Sequence, residues 1–149
     1  MTQIQRSALV MHSVQRMYQL VNDVACYPEF LDGCVSSKVI ENSEHQMLAR
    51  MDLKKAGIRL SLLTRNTLVA PSTITMILED GPFRALTGKW VFTSIADDAS
   101  KLSLDLNFEF ANAALRMAAS KLFTSVANDL VDAICRRADY LYGSSRGDR

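Results

Sequence analysis

Hydrophobic and polar positions change their period twice along this chain. Gln3 to Val10 places Ile4, Ala8 and Val10 on one side, which predicts a short strand. Ser13 then stands where an N-cap belongs, and Val14, Met17, Tyr18, Val21 and Val24 recur at helical spacing. That helix is expected to stop near Ala25, because Pro28 disfavours helical geometry at Tyr27. The segment Cys26 to Cys34 is apolar for a loop. Tyr27, Phe30 and Leu31 are costly in water, so the loop is expected to fold over one end of the interior.

From Val35 to Phe110 the period is two. Met47, Ala49, Met51 and Leu53 alternate with polar or opposite-facing residues, Ala56-Gly57 marks a turn, and Ile58, Leu60 and Leu62 line the next strand. Pro71-Ser72 breaks that strand. Ile74, Met76 and Leu78 follow, then the dense turn signal Glu79 to Pro82. Leu86, Gly88, Trp90 and Phe92 share a face. Leu102, Leu104, Leu106, Phe108 and Phe110 form the clearest half-buried strand. Short turns throughout imply an antiparallel meander. Asn112 can cap a final helix reaching Tyr142, with Gly143 as its stop. Leu115, Ala119, Leu122, Phe123, Val126, Leu130, Val131 and Ile134 form its broad apolar stripe.

This order of elements belongs to the α+β class, a curved antiparallel sheet of about seven strands gripping a long C-terminal helix. Residues 1–143 are expected to form one domain and 144–149 a disordered tail. A sheet of this width, roughly 30 Å, is wider than one helix, so it either collapses around the helix or encloses a pocket. Two readings stay open. In one, the alanines at 113, 114, 118 and 119 leave volume that aromatic walls enclose, as a flat apolar ligand would need. In the other, the same residues simply fill the core. The pocket reading assigns to the cavity Tyr27, Phe30 and Leu31 from the loop. It takes Leu62, Met76, Leu78, Trp90, Phe92, Leu106, Phe108 and Phe110 from the strands. From the helix it takes Leu115, Arg116, Ala119, Leu122, Phe123 and Val126. The pocket is placed beside the N-terminal half of the helix. Arg116 is either a snorkelling side chain or a contact to a ligand head group.

Composition narrows the chemistry. The 149 residues carry 17 Lys and Arg against 16 Asp and Glu, so a strongly basic nucleic-acid binder is excluded by composition, though not a local patch. Lys54, Lys55, Arg59, Arg65, Arg84 and Lys89 could form such a patch or an ordinary solvated face. The longest uncharged run, Asn66 to Leu78, is too short and too broken by Pro71 for a membrane span. Cys26, Cys34 and Cys135 have no CxxC spacing and read as reduced thiols of a cytoplasmic protein. His12 and His45 lack ligand-like neighbours, no phosphate-cradling glycine motif occurs, and Asp105 and Glu109 face outward by parity. No acid–base pair or metal site is expected, and hence no enzyme.

Several ordered motifs nevertheless carry a resemblance. Ser7 to Val10, Met17 to Val24, Tyr27-Pro-Glu-Phe-Leu31 and Gly33-Cys34 are similar to the opening of the RatA and coenzyme Q-binding protein family. Lys55 to Ile58, Thr64-Arg-Asn66, Asp80 to Phe83, Leu86 to Trp90 and Asp105 to Phe110 extend the match from about residue 3 to 141. Asp32 departs from it, standing where the family usually has Pro, and is expected to loosen the loop. The resemblance implies a START-like helix-grip fold and two functions. One is binding of a ubiquinone-like isoprenoid or other lipid in support of respiration, with coenzyme Q as the possible bound group. The other is a toxin's association with the large ribosomal subunit, blocking subunit joining and so translation. The superfamily's label of polyketide cyclase or dehydrase implies catalysis, for which no residues are found.

Overall fold

A computed structural model describes residues 1–143; the tail expected to be disordered lies outside the described residues. Seven strands form one antiparallel sheet: β1 (Thr2–Val10), β2 (Cys34–Asn42), β3 (Gln46–Lys55), β4 (Ile58–Val69), β5 (Thr73–Asp80), β6 (Phe83–Ala96) and β7 (Ala99–Phe110). Two α-helices, α1 (Val14–Asn22) and α2 (Ala113–Tyr142), cover one face. The sheet order is β1-β7-β6-β5-β4-β3-β2, a meander whose first strand returns beside its last. The α+β helix-grip architecture read from the pattern is the one observed.

Local chemistry sets the element ends. Ser13 Oγ accepts from the Arg16 amide and caps α1, and Asn112 Oδ1 accepts from the Leu115 amide at 2.8 Å to cap α2. The first helix ends at Asn22, three residues short of the expected stop. The Tyr27 hydroxyl donates to the carbonyl of Val21, the acceptor that a continuing helix would have offered to the Ala25 amide. A 3₁₀ helix, Val24–Glu29, follows with Pro28 inside it.

The core lies between the sheet and α2. Alternate residues of β7, from Leu102 to Phe110, are buried, as are Leu122, Phe123, Val126, Val131, Ile134 and Ala138 of α2. The segment from Tyr27 to Cys34 closes one end of this interior. Tyr27 and Leu31 are buried, and Phe30 is half-buried with the Arg137 guanidinium 5.4 Å from its ring centroid. Arg137 also ion-pairs with Glu29 at 2.8 Å, fastening α2 to the loop. Asp32, expected to loosen the turn, accepts the Lys55 ammonium on its carboxylate at 2.8 Å. Both groups are exposed, so this contact positions more than it stabilises. His12, which had no partner along the chain, is buried with its Nε2 2.8 Å from Asp139 Oδ1.

Candidate functional site

The apolar interior opens into one small cavity of about 60 Å³. Its walls come from seven elements. Val21 and Asn22 end α1, Val24 and Tyr27 belong to the 3₁₀ helix, and Leu130 comes from the C-terminal half of α2. The sheet contributes Ala49 and Met51, then Leu62, Thr64 and Asn66, then Ile74 and Met76, then Trp90. The space is far below the roughly 300–1,000 Å³ of ordinary small-molecule pockets, so a ligand must push side chains aside. Met51 and Met76 are the walls suited to yield, being unbranched and adaptable.

Three polar groups interrupt the apolar lining. Thr64 and Asn66 continue the inward face of β4 beyond Leu60 and Leu62, and both are buried. Thr64 Oγ1 donates to Asn66 Oδ1 at 2.9 Å, which leaves the Asn66 amide N–H groups without a partner among the described residues. Asn22 Oδ1 is buried with no hydrogen bond. Tyr27 is occupied by its bond to Val21, and burial holds its phenol far above the ordinary range, so it stays neutral. The lining contains no carboxylate, histidine or lysine. Among the described residues no cluster of His, Cys, Asp and Glu could hold a metal ion.

Of the residues assigned to a cavity from the sequence, Tyr27, Leu62, Met76 and Trp90 line this one. The others do not, and this enclosed cavity is not beside the N-terminal half of α2, where there is only an open surface groove. Aromatic side chains fill that space themselves. Phe83 stacks on Phe110 at 4.7 Å, and Phe123 meets Phe83 at 4.9 Å and Phe108 at 4.7 Å, edge to face. Ala113, Ala114 and Ala118 face solvent and leave no interior volume. Ala119, Leu122 and Val126 are packed core, as are Leu31 and Leu106; Leu115, Leu78 and Phe30 are half-buried against it. Phe92 stacks on Trp90 at 6.0 Å, behind the cavity wall. Arg116 is exposed in a separate, open groove of about 400 Å³ along the N-terminal half of α2, which Phe108, Phe110 and Ala113 border together with the polar Arg84, Glu109 and Ser120.

Thr64, Asn66 and Asn22 escaped the sequence reading. The signal for the first two was present: polar residues at inward positions of an otherwise apolar strand. Asn22 carries no such signal, because its place depends on where α1 stops.

Comparison with known proteins bears on this geometry. Residues 10–135 match the family described as polyketide cyclase/dehydrase and lipid transport. The ribosome association toxin RatA of Vibrio cholerae is 46% identical, over 96% of this chain and 99% of that one. A mitochondrial coenzyme Q-binding protein of Drosophila melanogaster is 29% identical, over 87% of this chain and 52% of that one. Among solved structures, the Zhui aromatase/cyclase of Streptomyces superposes with TM-score 0.81 at 14% identity, covering 93% of both chains. A START superfamily protein of Mycobacterium smegmatis superposes with TM-score 0.77 at 19% identity, covering 93% of this chain and 98% of that one. These likenesses establish the fold. No helix of the described residues is long and apolar enough to cross a membrane. The chain belongs to the polyketide cyclase/dehydrase and lipid transport family, START-like in fold, and within it to the group of the RatA proteins.

Proposed function

We propose that this chain is a RatA-type protein of the cytoplasm that associates with ribosomes, at the large subunit, and acts by binding rather than by catalysis. The observation that carries the reading is the end-to-end likeness to RatA, 46% identity over 99% of that protein. The fold alone needs far less, since structures at 14% and 19% identity share it. The additional identity therefore extends beyond what the core pattern demands. The outer face of the sheet supports contact with phosphate. Lys38 on β2 and the cross-strand pair Lys54 and Arg59 are exposed there, without ion-pair partners among the described residues. Sucrose-gradient profiles with added protein test this. Cosedimentation with the large subunit at low salt, lost as salt rises, is the expected result. Unchanged profiles and a protein that stays at the top of the gradient would sink it.

A second reading is favoured by the cavity itself: an apolar, ubiquinone-like ligand held between α1, α2 and the sheet. Trp90, Met51, Met76, Ile74 and Leu130 offer the apolar wall, and two or three polar groups fix one end. Burying apolar ligand surface contributes about 25 cal/mol per Å², offset by ordering and by opening the space. Lipid extraction of purified protein followed by mass spectrometry tests it. An interior consistently empty of isoprenoid would count against this reading.

A further inference from the structure

We infer that the cavity selects a ligand whose buried end carries a hydroxyl group, a phenol, hydroquinone or alcohol, over one that carries only a carbonyl. The inference rests on the ligand reading above and deepens it.

Two unmet hydrogen-bonding demands line one small space. Asn22 Oδ1 is an acceptor, buried and unpartnered. The Asn66 amide nitrogen is a donor, and its orientation is set because Asn66 Oδ1 already accepts from Thr64 Oγ1 at 2.9 Å. The other polar side chains of the lining, Tyr27 and Thr64, have given their hydroxyl protons to the carbonyl of Val21 and to Asn66 Oδ1. What remains unmet is therefore the Asn66 amide donor group and the Asn22 acceptor. A hydroxyl meets both through a single oxygen. A ketone can accept from Asn66 but leaves Asn22 Oδ1 orphaned, and an unmade bond to a buried group is the strong term in discrimination. Of the other lining side chains only the Thr64 and Tyr27 oxygens, each already donating its own proton, could share the ligand's proton, and the rest of the wall is apolar.

A quinone and its hydroquinone differ in this respect at nearly constant size, so they make the test. Wild-type protein is titrated anaerobically with ubiquinone-1 and with ubiquinol-1, by calorimetry and by the emission of Trp90. Trp90 is the chain's single tryptophan and lies in the cavity wall. Ubiquinol-1 should bind about tenfold more tightly or better. Asn22→Leu should bring the ratio close to one, with the ketone form no weaker than before. Asn22→Asp, which keeps the acceptor, should preserve the preference. Circular dichroism on each variant establishes that it is folded, and the wild-type comparison stands whether or not the variants are. Equal affinities, or tighter binding of ubiquinone-1, overturn the inference while leaving the ligand reading in place. Binding of neither form overturns that reading, and the inference with it.

Discussion

The terminal methyl of Met76 lies over the bare backbone of Gly88, its direct partner across β5 and β6. A Cβ at Gly88 would stand 2.5 Å from Met76 Cε and 3.1 Å from Leu106 Cδ1. The glycine is required for space, since Met76 uses the place a side chain would take. Gly88→Ala should push Met76 into the cavity and Leu106 into the core. The expected loss is about 1–3 kcal/mol in urea unfolding, with weaker uptake of any apolar ligand. Unchanged stability and uptake would show that Met76 has another rotamer available.

Gly33 is restricted twice. Its φ of +92° is one that side chains rarely adopt, and a Cβ there would be 2.7 Å from Val126 Cγ2 on α2. Gly33→Ala should destabilise by more than about 1 kcal/mol, seen as a fall in Tm of several degrees. The Tyr27–Cys34 segment would lift from α2, so proteolysis within that segment should speed up as well.

Ala119→Phe discriminates the filled interior from the expected pocket. Ala119 is buried but does not border the cavity. The substitution should act as overpacking beside Phe123, costing about 1–3 kcal/mol, and should leave ligand affinity unchanged in the fraction that folds. Melting and titration of this one variant separate a stability effect from a binding effect.

Asp52 joins three strands. Its carboxylate accepts from Ser36 on β2, from Ser61 on β4 at 2.6 Å and from Arg50 at 3.0 Å. The two serine hydroxyls, then Arg50, hold its pKa below the ordinary carboxylate value. A folded-state pKa below the unfolded one means the stabilisation is present above the unfolded value and is lost as pH falls through the folded one. Asp52→Asn should cost about 1 kcal/mol near pH 7, a gap that closes in acid. Parallel urea titrations at neutral and acid pH check the sign.

Period-two runs and well-placed caps made the fold readable. Ser13 and Asn112 cap the two helices, and the inward face of β7 is the one its alternation predicts. The site was legible where apolar parity decided it, at Leu62, Met76 and Trp90, and at Tyr27, whose ring is costly in water on an exposed loop. Two physical facts displaced the rest. Phe83 was not counted among the interior aromatics, although its ring joins Phe108, Phe110 and Phe123 to fill the volume assigned to a ligand. The small residues beginning α2 were read as empty space, whereas three of them simply face water. Whether an alanine marks a void depends on which way it points, and that is a tertiary property. The polar floor of β4 carries no ionisable group, so no charge pattern in the sequence marks Thr64 and Asn66.

The returning edge of the sheet has a consequence for the order of assembly. β1 pairs only with β7, with Ile4 opposite Leu106 and Ala8 opposite Leu102, about a hundred residues away along the chain. The strand made first during synthesis therefore has no partner until most of the chain exists, and α2, which covers it, comes later still. Pairings of such separation carry a large closure entropy and slow folding. The hairpins from β2 to β6 can form locally meanwhile. The nascent sheet thus grows from its β2 edge toward β7, and β1 is joined to it only near the end.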